Sequence, residues 1–427
     1  MCMKRNSRVY ETCAAILRRE LIPAMGCTEP IAIAYCAAAA RELLEALPDR
    51  IDIAASGNII KNVKSVRIPH TAGLRGIEAS AALGAYAGDA SARLEVISHI
   101  SPERLAGFGE YFSKTTITIY PVDSDEALDV IANVYAGDSS ARVRIAREHT
   151  NIVYKEKNGV PVYQKELGAE PAPDEPDYGL LSVSAIIDFA DTCELDDVRD
   201  VLNRQIRYNT AIADEGLQKD YGANVGKTLL ASYGNDVRTR ARARAAAGSD
   251  ARMNGCELPV IINSGSGNQG MTASLPVIEY AQTYQVGQEK LYRALLVSNL
   301  ITIHEKSYIG RLSAYCGAVS AGAGAGAGIA YLLGGDSDTI AHTIVNALAV
   351  TSGIVCDGAK ASCAAKISAA VDAGIFGYEM YRNGQQFYGG EGLVVKGVEN
   401  SIRSFGRLGR IAMRETDREI IRMMTER

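Results

Sequence analysis

The chain of 427 residues contains no tryptophan, and only 6% of its residues are aromatic. Recognition of bases or sugars by stacking is therefore not expected. Acidic and basic side chains nearly balance, with a formal net charge of -5 at pH 7. So small a charge on so long a chain provides no field suited to a polyanion, which argues against a nucleic-acid-binding protein.

The N-terminal stretch, MCMKRNSRVYETCAAILRRE, lacks the uninterrupted apolar run of a signal peptide. A long stretch without charge does occur later, at residues 312–335, but it consists mostly of Ala, Gly and Ser. These residues include too few large apolar side chains for favourable insertion into a bilayer. We therefore expect a tightly packed helix there, in a cytoplasmic protein without a membrane partner.

The nine cysteines form an odd count and lack the regular spacing of a secreted disulfide framework. In a cytosolic protein they remain thiols, which serve in core packing, metal ligation or catalysis. The last three stand beside glycine-rich backbone, Cys316 in RLSAYCGAVSAGAG and Cys356 and Cys363 in TSGIVCDGAKASCAAK.

The sequence pattern predicts an α+β fold of two domains. Residues 1–48 and 176–427 read mainly as helix and would form a helical catalytic domain, whereas residues 49–175 would form an inserted α/β domain. The segment 167–179, LGAEPAPDEPDYG, concentrates proline and acid and is the best linker candidate. Within the insert we expect a strand at ARLEVISHI (92–100) and a helix at SDEALDVIANVYAG (124–137).

The spacing of the last two cysteines constrains their conformation. A continuous helix from Cys356 to Cys363 would separate their Cα atoms by about 10 Å along the axis. Two thiolates on a compact cluster cannot be that far apart, so the intervening DGAKAS should form a tight loop, for which Asp357-Gly358 supplies a turn. Three thiolates suit a [4Fe–4S] cluster with one open iron. Spacing alone is equally consistent with buried core thiols.

Another cysteine, Cys27 in MGCTEP, precedes a predicted helix in which Pro30 lies near the first turn. The free amides and the dipole at a helix N-terminus stabilise a thiolate and lower the pKa of a thiol. We therefore expect Cys27 to ionise readily and to be a competent base near neutral pH.

Two glycine-containing loops are candidates for substrate binding. In IINSGSGNQGMTASLPVI a strand leads through a small-residue loop to a helix, and the backbone amides of such a loop can hold a carboxylate. In RIPHTAGLRG a histidine and an arginine flank a glycine turn and could assist. Each loop could equally be a purely structural turn. The candidate residues are Ser264, Gly265, Ser266, Gly267, Asn268, His70, Thr71 and Arg75.

Four stretches, MGCTEP, NSGSGNQGMTASLPV, AYCG and GIVCDGAKASCAAK, occur in this order over nearly the whole chain. Together they resemble the L-cysteine desulfidases, which are relatives of the iron–sulfur L-serine dehydratases of the alpha-chain type. PHTAG also looks like the His-Thr-Gly substrate loop of the dehydratases. The last two cluster cysteines of the dehydratases are more widely spaced than Cys356 and Cys363, which favours the desulfidase branch.

The resemblance implies that Cys316, Cys356 and Cys363 hold a [4Fe–4S] cluster with one open iron, and that Cys27 is the proton acceptor. It implies β-elimination of L-cysteine to pyruvate, ammonia and hydrogen sulfide without pyridoxal phosphate. The expected partner is a small amino-acid substrate, and we expect a homo-oligomer, namely a dimer.

Two other functions remain open at this point. L-Serine dehydration on the same cluster would differ only in the leaving group, hydroxide in place of sulfide. A thiol or metal redox sensor would use the same cysteines without catalysing elimination of either amino acid.

Overall fold

The computed structural model describes residues 3–122, 124–168 and 175–425, and it has the expected α+β fold with a mainly helical part and a six-stranded sheet. Residues 169–174 of the predicted linker lie outside the described residues. The division into domains at 48 and 175 therefore stays a prediction.

The described residues form 17 α-helices and eight strands. The α-helices are α1 Arg8–Glu20, α2 Thr28–Leu44, α3 Gly57–Val63, α4 Gly76–Ala87, α5 Pro102–Leu105, α6 Phe108–Lys114, α7 Val183–Thr192, α8 Arg199–Gln218, α9 Val225–Tyr233, α10 Val237–Met253, α11 Gly267–Thr283, α12 Gln288–Ile309, α13 Gly317–Leu332, α14 Ser337–Thr351, α15 Cys363–Arg382, α16 Val398–Arg407 and α17 Arg414–Thr425. The strands are β1 Pro23–Met25, β2 Arg50–Ala55, β3 Thr116–Pro121, β4 Asp129–Ala136, β5 Ser139–Ala146, β6 Ile152–Lys157, β7 Val160–Gln164 and β8 Pro259–Ile261.

The large sheet has the strand order β3-β2-β4-β5-β6-β7. Strand β2 runs parallel to β3, and every other neighbouring pair in this sheet is antiparallel. Helices α2 and α4 pack on each other, and α2 also covers β4 and β5. An antiparallel sheet can expose its other face to water, which accounts for the alternation of buried and exposed residues along β5.

Two predictions within this part are wrong. The stretch 124–137, predicted as a helix, contains strand β4, in which Val130, Ala132 and Val134 are fully buried at a spacing of two residues. That spacing suits a strand, and β4 pairs on both sides with β2 and β5. The stretch 92–100, predicted as a strand, instead begins within the 3₁₀ turn Ala90–Glu95.

Helix α2 does not pack as the sequence suggested. The sequence pattern predicts that it packs with the helical part, but its body lies on the sheet, where the Cys36 thiol donates to the Val143 carbonyl at 3.3 Å. Its alanine-rich surface is buried on nearly all sides. Its N-terminal end reaches the helical part, where Thr28 Oγ1 donates to the Gly265 carbonyl at 2.8 Å.

A short strand pair helps to place that end. Strands β1 and β8 are antiparallel, with Ala24 opposite Val260. Strand β1 leads into Cys27, and β8 leads into the loop 264–268. The pair therefore brings two segments that are far apart in the chain to the same place.

Helix α13 lies at the centre of the helical part and packs against α11, α12, α14 and α15. Its alternating glycines face two different neighbours. A Cβ at Gly326 would lie 2.5 Å from the Gly374 carbonyl of α15, and one at Gly324 would lie 2.2 Å from Thr302 Oγ1 of α12. The small residues therefore permit close helix contact on both sides. Within the described residues, no helix has the length and apolar character needed to cross a membrane.

We predict that Gly374→Ala destabilises the protein. The new Cβ would lie 2.1 Å from the Gly322 carbonyl, so α13 and α15 would have to separate, at a cost of about 1–3 kcal/mol in the free energy of unfolding. The matched control is Gly109→Ala, also in a helix, where a Cβ meets nothing within 4 Å. Urea unfolding of both variants tests this, and equal stabilities would contradict the packing argument.

Candidate functional site

A partly enclosed cavity of about 90 Å³ brings the candidate cysteines together. This volume is far below the roughly 300–1,000 Å³ of pockets that hold drug-sized ligands. The residues that line it include Cys27, Glu29, Asn62, Arg252, Ser266, Asn268, Gln269, Lys306, Arg311, Tyr315, Cys316, Gly317, Cys356, Gly358 and Cys363.

Backbone pairing holds two of the late cysteines side by side. Tyr315 and Val355 form an isolated antiparallel bridge, the Cys316 amide donates to the Ile354 carbonyl at 3.1 Å, and the Cys356 amide donates to the Ala314 carbonyl at 2.6 Å. Burial and the nearby thiols of Cys356 and Cys363 raise the pKa of Cys316 to about 12. The three thiols therefore lie in one environment. Several of them cannot ionise at the same time there unless a cation compensates their negative charge.

The segment between Cys356 and Cys363 forms a loop, as the distance argument required, and α15 begins at Cys363. Gly358 has φ +92°, and a Cβ there would lie 2.3 Å from the Lys61 carbonyl of α3. Both the backbone conformation and the lack of space at this position therefore exclude a residue with a side chain.

Two lysines anchor this loop. Lys360 Nζ donates to the Asp357 carbonyl at 2.9 Å, and Lys366 Nζ donates to the Val355 carbonyl at 2.8 Å and to the Asp357 carboxylate. Partial burial opposes ionisation of Asp357, but the hydrogen bonds from Lys360 and Lys366 outweigh it and lower the pKa to about 2. The carboxylate therefore stays ionised at any pH well above 2, and the anchor persists as long as the lysines remain protonated.

Four helices of the described chain begin at this cavity: α2, α11, α13 and α15. Their flanking residues Cys27, Ser266, Cys316 and Ser362 make no side-chain capping hydrogen bond. Amides in the first turn of each helix have no partner within the helix, and the helix dipole places partial positive charge there. The cavity therefore favours an anionic occupant.

Cys27 differs electrostatically from the expectation. It is 3% exposed, and its thiol donates to Glu29 Oε2 at 3.1 Å. Burial and then the negative charge of Glu29 raise the pKa of Cys27 well above that of a free thiol, although Arg252 opposes this. The expectation of a readily ionised Cys27 is therefore wrong for the cluster-free protein, because burial and Glu29 outweigh the helix N-terminus.

The pKa of Glu29 moves in the opposite direction. Burial opposes its ionisation, yet its pKa is lowered because His149, the Cys27 thiol and Arg252 lie beside it. Its second oxygen, Oε1, accepts from Asn62 Nδ2 at 3.0 Å. Cys27 and Glu29 thus form a thiol–carboxylate pair with a defined direction of donation.

The loop 264–268 contributes two lining residues, Ser266 and Asn268. Ser264 and Gly265 have φ of 50° and 82° and form a tight turn closed by reciprocal hydrogen bonds between Asn263 and Ser266. Positive φ at both central residues is typical of a type I′ turn. Because the Ser266 amide is used in that turn, it is not available to a ligand.

The two glycines of the loop make room for arginines. A Cβ at Gly265 would lie 3.2 Å from Arg311 Nη1 and 3.1 Å from His149, and one at Gly267 would lie 2.4 Å from Arg252 Nε. The loop therefore brings two guanidinium groups to the cavity wall, a contribution that the amide-nest prediction did not include.

The second predicted loop lies apart from the cavity lining. His70 Nδ1 is 3.0 Å from Glu257 Oε1, Thr71 Oγ1 donates to the Ile68 carbonyl at 2.7 Å, and Arg75 precedes α4. None of the three is among the residues that line the cavity. Their substrate contacts therefore stay a prediction that this lining does not include, and the loop places Pro69 against Gly26.

Several polar lining residues were not found from the sequence. Lys306 Nζ donates to the Gly310 carbonyl at 2.6 Å, and burial lowers the pKa of Lys306 to about 8 although Cys356 and Cys316 oppose this. Arg311 Nη2 donates to Glu20 Oε1 at 2.9 Å. Glu29 lies within the quoted MGCTEP motif, but no sequence signal separates Arg252 from the other arginines of α10.

A family model described as the serine dehydratase alpha chain matches residues 91–422. This chain belongs to that family. The match includes the three late cysteines and the loop 264–268. A UPF0597 protein of Desulfitobacterium hafniense is 58% identical over 427 residues, covering 99% of each chain. A UPF0597 protein of Lachnoclostridium phytofermentans is 51% identical, over 97% of this chain and 100% of its own length. A UPF0597 protein of Treponema denticola is 44% identical, over 99% of each chain.

The serine dehydratase alpha chain family is of the iron–sulfur type. Among the described residues no three Cys, His or acidic side chains are close enough to bind a single metal ion. A cubane cluster makes a different demand, because each thiolate binds its own iron rather than a common centre. Three thiols around one small cavity therefore fit a cluster better than a lone ion.

We predict that Cys27 of the cluster-free protein reacts slowly with iodoacetamide and that Glu29→Gln accelerates the reaction. Removing the carboxylate charge lowers the pKa of Cys27, and the thiolate fraction rises roughly tenfold for each unit of that fall. Peptide mass spectrometry across a pH series measures the rate at Cys27. Glu42→Gln, an exposed position on the same helix, is the control, and equal rates in all three proteins would contradict the pairing.

We also predict that Asp357→Asn weakens cluster binding by about 10–100-fold, the usual effect of losing a group that orients metal ligands. The amide cannot form the ion pairs with Lys360 and Lys366 that anchor the cysteine loop. Iron and sulfide per chain after anaerobic reconstitution measure the effect. The control is Asp372→Asn on α15. This variant loses the ion pairs of Asp372 with Arg238 and Arg242 and should keep the iron content unchanged. Equal iron in both variants would argue against the anchor.

Proposed function

We propose that this protein catalyses the iron–sulfur-dependent β-elimination of L-cysteine to pyruvate, ammonia and hydrogen sulfide, without pyridoxal phosphate. One observation carries the proposal, namely that the buried Cys27 lines the same small cavity as Cys316, Cys356 and Cys363. With a cluster on the three late cysteines, the cavity would hold both groups that an elimination requires, a Lewis acid for the leaving group and the thiol–carboxylate pair as the base for the α-proton.

Cys316, Cys356 and Cys363 would hold a [4Fe–4S] cluster whose remaining iron is open to a substrate ligand. The surroundings fit such a group, because helix N-termini and the buried Lys306 compensate the negative charge of thiolates. When bound, the cluster supplies a Lewis acid for the sulfur that leaves Cβ. The lysine-anchored loop 356–363 keeps the ligands in place.

Cys27 would accept the α-proton of the substrate, and Glu29 would serve as its partner. The raised pKa of Cys27 and the lowered pKa of Glu29 keep the proton on the thiol. Cys27 would therefore give up this proton to Glu29 Oε2, which accepts from it at 3.1 Å, only when further positive charge in the cavity, such as a substrate ammonium group, stabilises the thiolate. The thiolate formed in this way can then take the α-proton. Burial keeps bulk water away from the pair and limits competing proton exchange.

L-Serine dehydration is the second candidate, and the description of the matched family favours it. The two reactions need the same base and the same ligands and differ in the leaving group. The close spacing of Cys356 and Cys363 supports the desulfidase branch.

The test uses protein purified and reconstituted without oxygen, assayed for sulfide and for pyruvate with L-cysteine and with L-serine. We expect sulfide and pyruvate in equal amounts from L-cysteine. Serine variants of Cys316, Cys356 or Cys363 should lose iron. Cys27→Ser should keep its iron and lose about 100-fold or more in turnover, in line with the loss of a general base.

Cys193→Ser is the matched control, because Cys193 is buried beside Tyr10 outside the cavity. Pyruvate from L-serine without sulfide from L-cysteine would replace the proposal with the dehydratase function. A reconstituted protein that turns over neither amino acid would leave the redox-sensor function instead.

A further inference from the structure

Three buried polar atoms of the cavity have no hydrogen-bond partner among the residues that the structure describes: Arg252 Nη2, Asn62 Oδ1 and Gln269 Oε1. Their residues are 1%, 6% and 5% exposed, and all three line the cavity with the cysteines. Nearly all buried polar groups in native proteins are hydrogen-bonded to protein, water or a ligand, so three such atoms around one cavity point to a polar occupant. Two of them are acceptors and one is a charged donor.

The orientation of Arg252 is determined by its other nitrogens. Nε donates to the Gly26 carbonyl at 2.9 Å, and Nη1 is within 3.1 Å of Asn268 Oδ1. Gly267 packs so closely on the guanidinium that a Cβ there would lie 2.7 Å from Cζ. Nη2 therefore remains as a rigidly held, charged donor, and a carboxylate is the partner that a guanidinium binds best.

The amide of Asn62 is oriented just as clearly. Nδ2 donates to the ionised Glu29 at 3.0 Å, and since that carboxylate can only accept, Oδ1 must be the free end of the amide. Gln269 Oε1 is the second free acceptor, and its side chain lies against Gly317, next to Cys316. Two neutral oxygens in a cavity that Glu29 also lines suit an ammonium group, which carries three donors.

A ligand that satisfies all three atoms must carry one anionic acceptor and one cationic donor on a small skeleton. A dicarboxylate would leave the two amide oxygens unpaired, and an amine without a carboxylate would leave Arg252 unpaired. We propose that Arg252 binds the α-carboxylate of an amino-acid substrate and that Asn62 and Gln269 bind its α-ammonium group. This assignment deepens the proposed function and rests on it.

The assignment also orients the substrate. With both charged groups held by Arg252, Asn62 and Gln269, the side chain of the amino acid would lie in the same cavity as the three late cysteines. Asn62 links this site to Glu29, so the same residue that holds the ammonium group also holds the partner of Cys27.

Two half-ligands separate the roles. 3-Mercaptopropionate carries the thiol and the carboxylate without the ammonium group, and cysteamine carries the thiol and the ammonium group without the carboxylate. Their dissociation constants are measured by isothermal titration calorimetry on the cluster-loaded protein. Arg252→Gln should weaken 3-mercaptopropionate about 10–100-fold and cysteamine by less than about twofold, as expected for one charge-assisted hydrogen bond.

Asn62→Leu and Gln269→Leu should show the reverse pattern, weakening cysteamine and leaving 3-mercaptopropionate nearly unchanged. Arg252→Lys should restore part of the carboxylate affinity, and it replaces Arg252→Gln if that variant does not fold. Arg238→Gln on the same helix as Arg252, and Asn58→Leu on the same helix as Asn62, are the matched controls and should bind both half-ligands as the unchanged protein does.

Variants that weaken both half-ligands equally would overturn the assignment, because that pattern indicates a general structural effect. The same holds if the unchanged protein releases sulfide from L-cysteine but none of the three substitutions alters half-ligand binding. If instead the selective pattern is found and no amino acid is turned over, the binding site stands and the proposed elimination fails.

Discussion

The structure depends on the meeting of four helix N-termini, those of α2, α11, α13 and α15, at one small cavity. Unpaired amides and partial positive charge are costly to bury without an anion, and the flanking residues provide no side-chain caps. Two of these flanking residues, Cys27 and Cys316, are cysteines, and Cys363 is the first residue of α15. The four helix N-termini therefore stabilise negative charge in the cavity, which cluster thiolates and a substrate carboxylate would supply.

Close packing keeps these helix ends in register. Gly374 and Gly322 let α15 and α13 approach until backbone meets backbone, so that neither helix can shift without losing contact. A buried ion pair, Lys61 Nζ to Asp417 Oδ1 at 2.5 Å, ties α3 to the C-terminal helix α17. Since Asn62 follows Lys61 on α3, residues near the two ends of the chain together position one wall of the cavity.

Much of this was accessible to sequence reasoning. The α+β fold and the resemblance to iron–sulfur dehydratases are confirmed, because hydrophobic periodicity and short motifs are local properties. Strand β4 was mistaken for a helix because only its pairing between β2 and β5 decides its conformation. The ionisation of Cys27 was misjudged for a similar reason. The helix N-terminus can be read from the chain, but its burial and the direction of the Glu29 carboxylate cannot.

The amino-acid sequence alone determines which side chains can do chemistry here: the late cysteines, the MGCTEP motif and the glycine loop 264–268. Tertiary structure decided which of them meet. It brought Arg252, Asn62 and Gln269 to the cysteines and left His70, Thr71 and Arg75 outside the lining. No local pattern marks an arginine as unpaired or an amide as half-bonded. These properties arise only when distant helices pack and exclude water, because a buried polar group without a hydrogen-bond partner then costs free energy.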